Sequence, residues 1–274
     1  MTTDPLALLR RLDLVFCVDI TGSMGGLIAS ARRHVGNVLD ALKTELGADL
    51  RVGFVGYRDH SDGAEKLLTV EPLTTDVEKV RKVIDTVKVD GGGDAPEAVF
   101  AALVKCLELD WAKASYRVVI LIGDAPPHSV GAPGDSYKND PTGLSLDDMA
   151  NRMETEGLFV HALSLVPNDK ITESSFRRLS ISTGGTYSDA TSPDAAMKVV
   201  ETISRQFLAD LEFDRRLLQR LQQGVVVPEA NKAPGGDDDV VPSRDEVVAK
   251  LLDVPVQQVW GGMMRLRRRR LMVE

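Results

Sequence analysis

Apolar and polar positions along the chain set out a regular series of elements. Leu12–Val18 is a short apolar run suited to a buried strand, and it stops abruptly at Asp19, Thr21, Ser23 and a pair of glycines. Beyond Ser23, apolar residues recur at Leu27, Ile28, Ala31, Val35, Val38, Leu39, Leu42 and Leu46, the spacing of a helix that Gly47 closes. Leu50–Tyr57 predicts a second strand, with the polar residues Arg58–Gly63 as a loop at its end. A short strand near Leu67–Val70 and a helix from about Thr75 to Val87 follow. Asp94, with Pro96 and Glu97 behind it, has the form of a capped helix start, and Val99, Phe100, Leu103, Val104 and Leu107 give that helix an apolar face. Tyr116–Gly123 is apolar and β-branched throughout its second half, as in a strand covered on both sides, and it runs into Asp124. The stretch Ala125–Ser145 is rich in Pro, Gly and polar residues and predicts a long loop. Helix at Leu146–Glu156, strand at Leu158–Val166, helix at Glu173–Ser182, strand at Gly184–Ser188 and a long helix from near Ser192 complete the pattern. This alternation predicts an α/β fold: an open, doubly wound, mostly parallel sheet with helices on both faces.

The end of the chain differs in kind. Residues 223–242 read as a flexible linker with an acidic triplet at Asp237–Asp239. Residues 243–274 read as a short helical, basic extension, opened by a capping box at Ser243 and Glu246 and closed by Arg265–Arg270. That arginine run reads as a solvated tail, with an anionic partner or a membrane surface as the alternative. So short a segment does not build a core alone, which predicts docking on its own domain or on a second partner.

Composition narrows the function. A formal net charge of -8 argues against a nucleic-acid partner. Cys17 and Cys106 both sit in apolar contexts, which predicts buried thiols, a reducing compartment and a cytoplasmic protein. No stretch has the length or apolarity of a signal peptide or a membrane span.

Candidate chemistry gathers at strand ends. Asp19 followed at two-residue intervals by Thr21 and Ser23 offers three hard oxygen ligands in one turn, a set suited to Mg²⁺; the alternative is that Asp19 and Ser23 only cap the following helix. Asp124 ends another central strand, and Asp94 sits at a loop-to-helix junction behind Gly91–Gly93. In a doubly wound sheet, ligands bind beyond the carboxyl ends of the strands where the strand order reverses, so these acids are expected to face one crevice. Carboxylates crowded there repel one another, and a divalent cation removes that cost. Asp59 lies at the end of the second strand and is expected to pair with Arg58 or a loop amide, with orienting a metal-bound water as the alternative, and His128 is expected to pack within the long loop, with an approach to the ligand side as the alternative. His34, His60 and His161 show no metal-ligand spacing, and there is no phosphate-binding glycine motif after the first strand.

These residues resemble those of von Willebrand factor type A domains. Asp19-Ile20-Thr21-Gly22-Ser23 is similar to the first motif of that family's metal-ion-dependent adhesion site, D-x-S-x-S, with Thr for the first Ser. Asp124 in LIGDAPPH matches the Asp after the fourth strand. Asp94 in GGGDAPEA falls where many members carry Thr, a version similar to the intracellular modules of alpha-kinases and to hemicentin-like modules. The resemblance implies such a domain over residues 1–222 (core 13–211) with a Rossmann-like sheet. It also implies Mg²⁺ or Mn²⁺ held by Asp19, Thr21, Ser23, Asp94 and Asp124, with Asp94 and Asp124 direct or through water. In this family an acidic side chain of a partner protein completes the ion's shell, so the implied role is a non-enzymatic, intracellular interaction or scaffold subunit. The competing class is a Mg²⁺-dependent hydrolase or phosphotransferase, for which no general base or nucleophile is placed by motif.

Overall fold

A computed structural model describes residues 5–225 and 243–272. In chain order the elements are α1 (Pro5–Leu8), β1 (Leu12–Asp19), α2 (Gly25–Leu46), β2 (Leu50–Tyr57), α3 (Ala64–Leu67), β3 (Leu68–Thr74), α4 (Val77–Thr86), α5 (Val99–Leu107) and β4 (Tyr116–Gly123). They continue with α6 (Leu146–Thr155), β5 (Phe159–Ser164), α7 (Lys170–Ser182), β6 (Tyr187–Asp189), α8 (Pro193–Gln222), α9 (Arg244–Leu252) and α10 (Val256–Arg268). Contacts divide the chain into two compact units, Arg11–Gln206 and a second formed by Met1–Arg10 with Phe207–Glu274.

The larger unit holds a six-stranded sheet in the order β3-β2-β1-β4-β5-β6. Every pairing is parallel except β2 with β3. β1 is buried along its whole length, as a strand between two parallel neighbours must be. Alternation along the strands sends Val15, Cys17, Val119 and Leu121 to one face, where Phe100 and Leu103 of α5, Met149 and Met153 of α6 and Phe176 of α7 cover them. Phe16, Val18 and Ile122 point the other way, into a cavity shared with Leu27 and Ile28 of α2, Ile84 of α4 and Met197 of α8. Helices on both faces and a mostly parallel sheet are therefore the observed architecture. Cys17 and Cys106 are both buried and free. No described helix is long and apolar enough to cross a membrane.

His161 on β5 is almost wholly buried, and its Nδ1 lies 2.9 Å from Thr186 Oγ1. Burial pulls its pKa down to about 4. The folded state thus refuses a proton that the unfolded chain accepts below its ordinary value of about 6.5. Stability from this group is complete above that pH and drains away as pH falls towards 4, by about 3 kcal/mol in all. Urea titrations at pH 7 and pH 4 are expected to show a smaller acid loss for His161→Gln than for the native chain.

The second unit is helical. Leu9, Phe213 and Leu217 pack with Val248 of α9 and with Val259 and Leu266 of α10 in an apolar cluster. The capping box at Ser243 and Glu246 is present. The reading of Arg265–Arg270 as a solvated tail is corrected here. Arg265 and Arg269 lie one helical turn apart on the inward face and are buried. Arg265 Nη2 donates to Asp214 Oδ1 at 2.7 Å and its Nε at 3.0 Å to Oδ2. Arg269 Nη2 donates to the Leu8 carbonyl at 2.9 Å. Arg267 and Arg270 are the exposed ones. The acidic triplet Asp237–Asp239 lies outside the described residues.

Candidate metal centre at the sheet's switch point

β1 leads to β2 on one side and borders β4 on the other, so the strand order reverses between β1 and β4. Asp19 is the last residue of β1, and Asp124 follows the end of β4 directly. The chain turns sharply after Asp19: Thr21 donates to Asp19 Oδ1 from its backbone N–H at 2.8 Å and from its hydroxyl at 2.6 Å. Thr21 Oγ1 and Ser23 Oγ stand 3.2 Å apart. α2 begins only at Gly25, with Met24 in the capping position and no side-chain cap. The helix-capping alternative for Asp19 and Ser23 therefore fails, because Asp19 Oδ1 is taken by Thr21 and Ser23 Oγ faces the Thr21 hydroxyl.

Asp19 is fully buried, and its Oδ2 has no hydrogen-bond partner among the described residues. Burial lifts its pKa to about 7, the two Thr21 bonds pull the other way, and the Asp124 carboxyl within hydrogen-bonding reach pushes it up again. Glu97 is a second buried acid, its pKa raised to about 10 by burial and by the surrounding Asp19, Asp59, Asp124 and Asp62. Its Oε2 also lacks a hydrogen-bond partner. Acids held this far from their charged form, without facing cations, have the character of a cation site.

The Gly91–Gly93 loop closes over this turn. Gly91 and Gly92 adopt φ of 81° and 92°, a conformation that favours glycine. A Cβ at Gly92 would stand 3.2 Å from Glu97 Oε1 and 3.4 Å from Thr21 Cβ, so the loop's backbone lies against both. The expectation that Asp94 and Glu97 cap a helix is corrected. α5 begins at Val99 behind an uncapped Ala98. Glu97 is instead held by a backbone bridge to Pro127, its N–H donating to the Pro126 carbonyl at 3.0 Å.

Asp94 joins a neighbouring group rather than the Asp19 turn. One oxygen accepts from the Ser136 N–H at 2.5 Å. Ligand atoms of Asp94, Asp59 and His128 all lie within 4.8 Å of one another. Asp59 accepts from the Ser61 N–H, the loop amide expected for it, while Arg58 pairs with Asp90 at 2.9 Å. His128 is wholly buried and does pack within its loop, with Nδ1 2.9 Å from Asp135 Oδ1, and also turns Nε2 towards Asp59 Oδ2 at 3.4 Å. The structure thus gathers Asp19, Thr21, Ser23 and Asp124 in one place and Asp94 with Asp59 and His128 in another. Glu97, Asp59 and His128 are the residues that strand-end reasoning undervalued. Each lies just beyond a strand or in a loop crossing the strand ends, which was the available signal.

A doubly wound sheet with acids crowded at its switch point defines a class of α/β domain with a polar strand-end site. Residues 13–130 match the model of the von Willebrand factor A domain. It is 36% identical over 141 residues to alpha-protein kinase vwkA of Dictyostelium discoideum, half of this chain but 22% of that protein. A putative ariadne-like RING finger protein of Acanthamoeba polyphaga mimivirus is 26% identical over 125 residues, 46% of this chain and 12% of its own length. The chain thus spans less than a quarter of either relative. Among solved structures, the pilus adhesin SpaC of Lactobacillus rhamnosus GG matches with a TM-score of 0.57 at 16% identity, over 73% of this chain and 30% of the adhesin. A von Willebrand factor type A protein from Catenulispora acidiphila matches at 0.54 and 15% identity, over 72% and 42%. At these identities the structural likeness speaks for the fold alone.

Proposed function

We propose that this chain is a metal-ion-dependent protein-binding module, not an enzyme, acting as an interaction or scaffold subunit in the cytoplasm. Mg²⁺ or Mn²⁺ would be held by Asp19, Thr21, Ser23 and Asp124, whereas Asp94, grouped with Asp59 and His128, is left out of this set. The observation that carries the reading is the buried Oδ2 of Asp19, which has no hydrogen-bond partner among the described residues, set beside the Asp124 carboxyl and the Thr21 and Ser23 hydroxyls 3.2 Å apart. The donor set fits: all its members are hard oxygens, and Mg²⁺ keeps open positions for water or a further ligand. Two carboxylates balance the charge of one divalent ion, so a partner's Asp or Glu side chain would meet no net repulsion at an open coordination position. When bound, the ion would supply a point of attachment for that carboxylate. Thr21 orients Asp19 through its two hydrogen bonds, and the glycine loop lies over the turn and limits access from its side. The kinase activity in the vwkA name belongs to that protein, of which this chain matches 22%. The two free buried thiols support the reducing compartment. The described part of the C-terminal extension offers exposed Arg267 and Arg270 to a second, acidic partner.

The test is affinity capture with the full chain. Partner proteins are expected to be retained in Mg²⁺ and released by EDTA, with capture lost for Asp124→Asn. Equal retention in EDTA would end the proposal.

A further inference from the structure

We propose a second metal site, distinct from the Asp19 centre, in which Asp59, Asp94 and His128 bind a borderline transition ion such as Zn²⁺ or Co²⁺. Three observations carry it. First, the three side chains come from loops after β2, before α5 and after β4, yet their ligand atoms converge within 4.8 Å. Second, His128 is wholly buried and Asp59 nearly so, and neither His128 Nε2 nor Asp59 Oδ2 has a hydrogen-bond partner among the described residues; Asp94 Oδ1 is in the same state. Third, the other face of the imidazole is fixed. Asp135 takes the Ser129 N–H at 2.6 Å on Oδ2 and the Tyr137 N–H at 2.9 Å on Oδ1, and that held carboxylate faces His128 Nδ1 at 2.9 Å.

A carboxylate only accepts, so the Asp135 contact fixes a proton on Nδ1 and leaves Nε2 as the nitrogen available to a ligand. Nε2 stands 3.4 Å from Asp59 Oδ2 with no hydrogen bond made by either atom among the described residues, a spacing that admits a cation between nitrogen and carboxylate. A carboxylate behind a ligating histidine is a recurrent device for setting its tautomer and raising its basicity. Tyr137 closes the edge of the pocket, its ring 4.7 Å from that of His128. One imidazole with two carboxylates selects Zn²⁺, Co²⁺ or Fe²⁺ over Mg²⁺ or Ca²⁺, which prefer oxygen alone. Three protein ligands leave a position for water or a partner's group.

Co²⁺ titration of the full chain in excess Mg²⁺, followed by visible absorption and equilibrium dialysis, tests this. The native chain is expected to take up one Co²⁺ that Mg²⁺ does not displace, with ligand-field bands of nitrogen-containing coordination, and Zn²⁺ should compete it away. His128→Asn is expected to weaken uptake by at least about tenfold while leaving Mg²⁺ uptake intact. Asp94→Asn, half-exposed at the rim, should weaken Co²⁺ uptake similarly and serves if His128→Asn fails to fold. Asp19→Asn should retain the Co²⁺ signal, so the failure of either site is visible apart from the other. No Co²⁺ uptake by the native chain would overturn the proposal and leave His128 as a structural bridge between Asp135 and Asp59. Undiminished uptake by the foldable variants at Asp94 and His128 would overturn it equally.

Discussion

Replacing Asp19 with Asn is expected to abolish Mg²⁺ uptake by the native centre, lowering affinity by about a hundredfold or more. Removing a group that merely orients a metal ligand costs 10–100-fold, and a carboxylate offered directly to the ion must cost at least as much. Asn keeps the volume and can still accept the two Thr21 bonds at its Oδ1, so local geometry is retained and only the charge is lost. The buried carboxylate is unfavourable without a cation, since its pKa is driven up to about 7. In EDTA the variant should therefore melt no lower than the native chain. On adding Mg²⁺ only the native chain should rise in melting temperature, because an ion that binds the folded state alone stabilises it. Isothermal calorimetry and scanning fluorimetry together separate lost binding from lost folding. The sign with pH follows from the same group. Below about pH 7 a proton occupies Asp19 and must leave before the ion binds, so Mg²⁺ uptake should weaken from pH 8 to pH 6. Uptake unchanged in Asp19→Asn would remove the centre from this turn.

Replacing Asp214 with Ala is expected to cost the helical unit up to about 3–5 kcal/mol, the usual range when a buried ion pair loses one member, with Asp210, 3.4 Å from Arg265 Nη1, compensating part of the charge. Arg265 makes its bonds to Asp214 inside the cluster of Phe213, Leu217 and Leu266, where water cannot take over. Arg269 also leans on the same carboxylate, its Nη1 3.8 Å from Oδ2. Asp214→Leu combined with Arg265→Met should recover part of the loss, since apolar groups of similar volume replace an ion pair with little penalty. Recovery should stay incomplete, because Arg269 loses the carboxylate its Nη1 faces. Urea unfolding of the single and paired variants measures this. An Asp214→Ala chain as stable as the native one would mean that the arginines escape to solvent.

The sheet was legible because its signals are local. Leu50–Tyr57 and Tyr116–Gly123 are strands over the predicted residues, since an apolar, β-branched run between turn residues has little else to become. The Asp19, Thr21 and Ser23 turn was legible for the same reason: its three oxygens lie within five residues of one another and their geometry is set by one bend. Asp94 was placed by sequence at a helix start, and the same residue pattern in the structure forms a loop, because the glycines let the chain run on across the Thr21 turn and the bridge of Glu97 to Pro127 delays the helix to Val99.

Order along the chain by itself determined the alternating elements, the acids at the ends of β1 and β4, and the capping box that opens α9, since each depends on neighbours a few residues away. Only the tertiary structure decided that Asp94 stands with Asp59 and His128, that Glu97 is a buried acid behind Thr21, and that Arg265 and Arg269 turn inward to Asp214. Those outcomes depend on which loops meet over the sheet and which helix faces meet in the cluster around Leu217. Burial and long-range pairing then fix the charge and partner of each group, and residue type does not encode either.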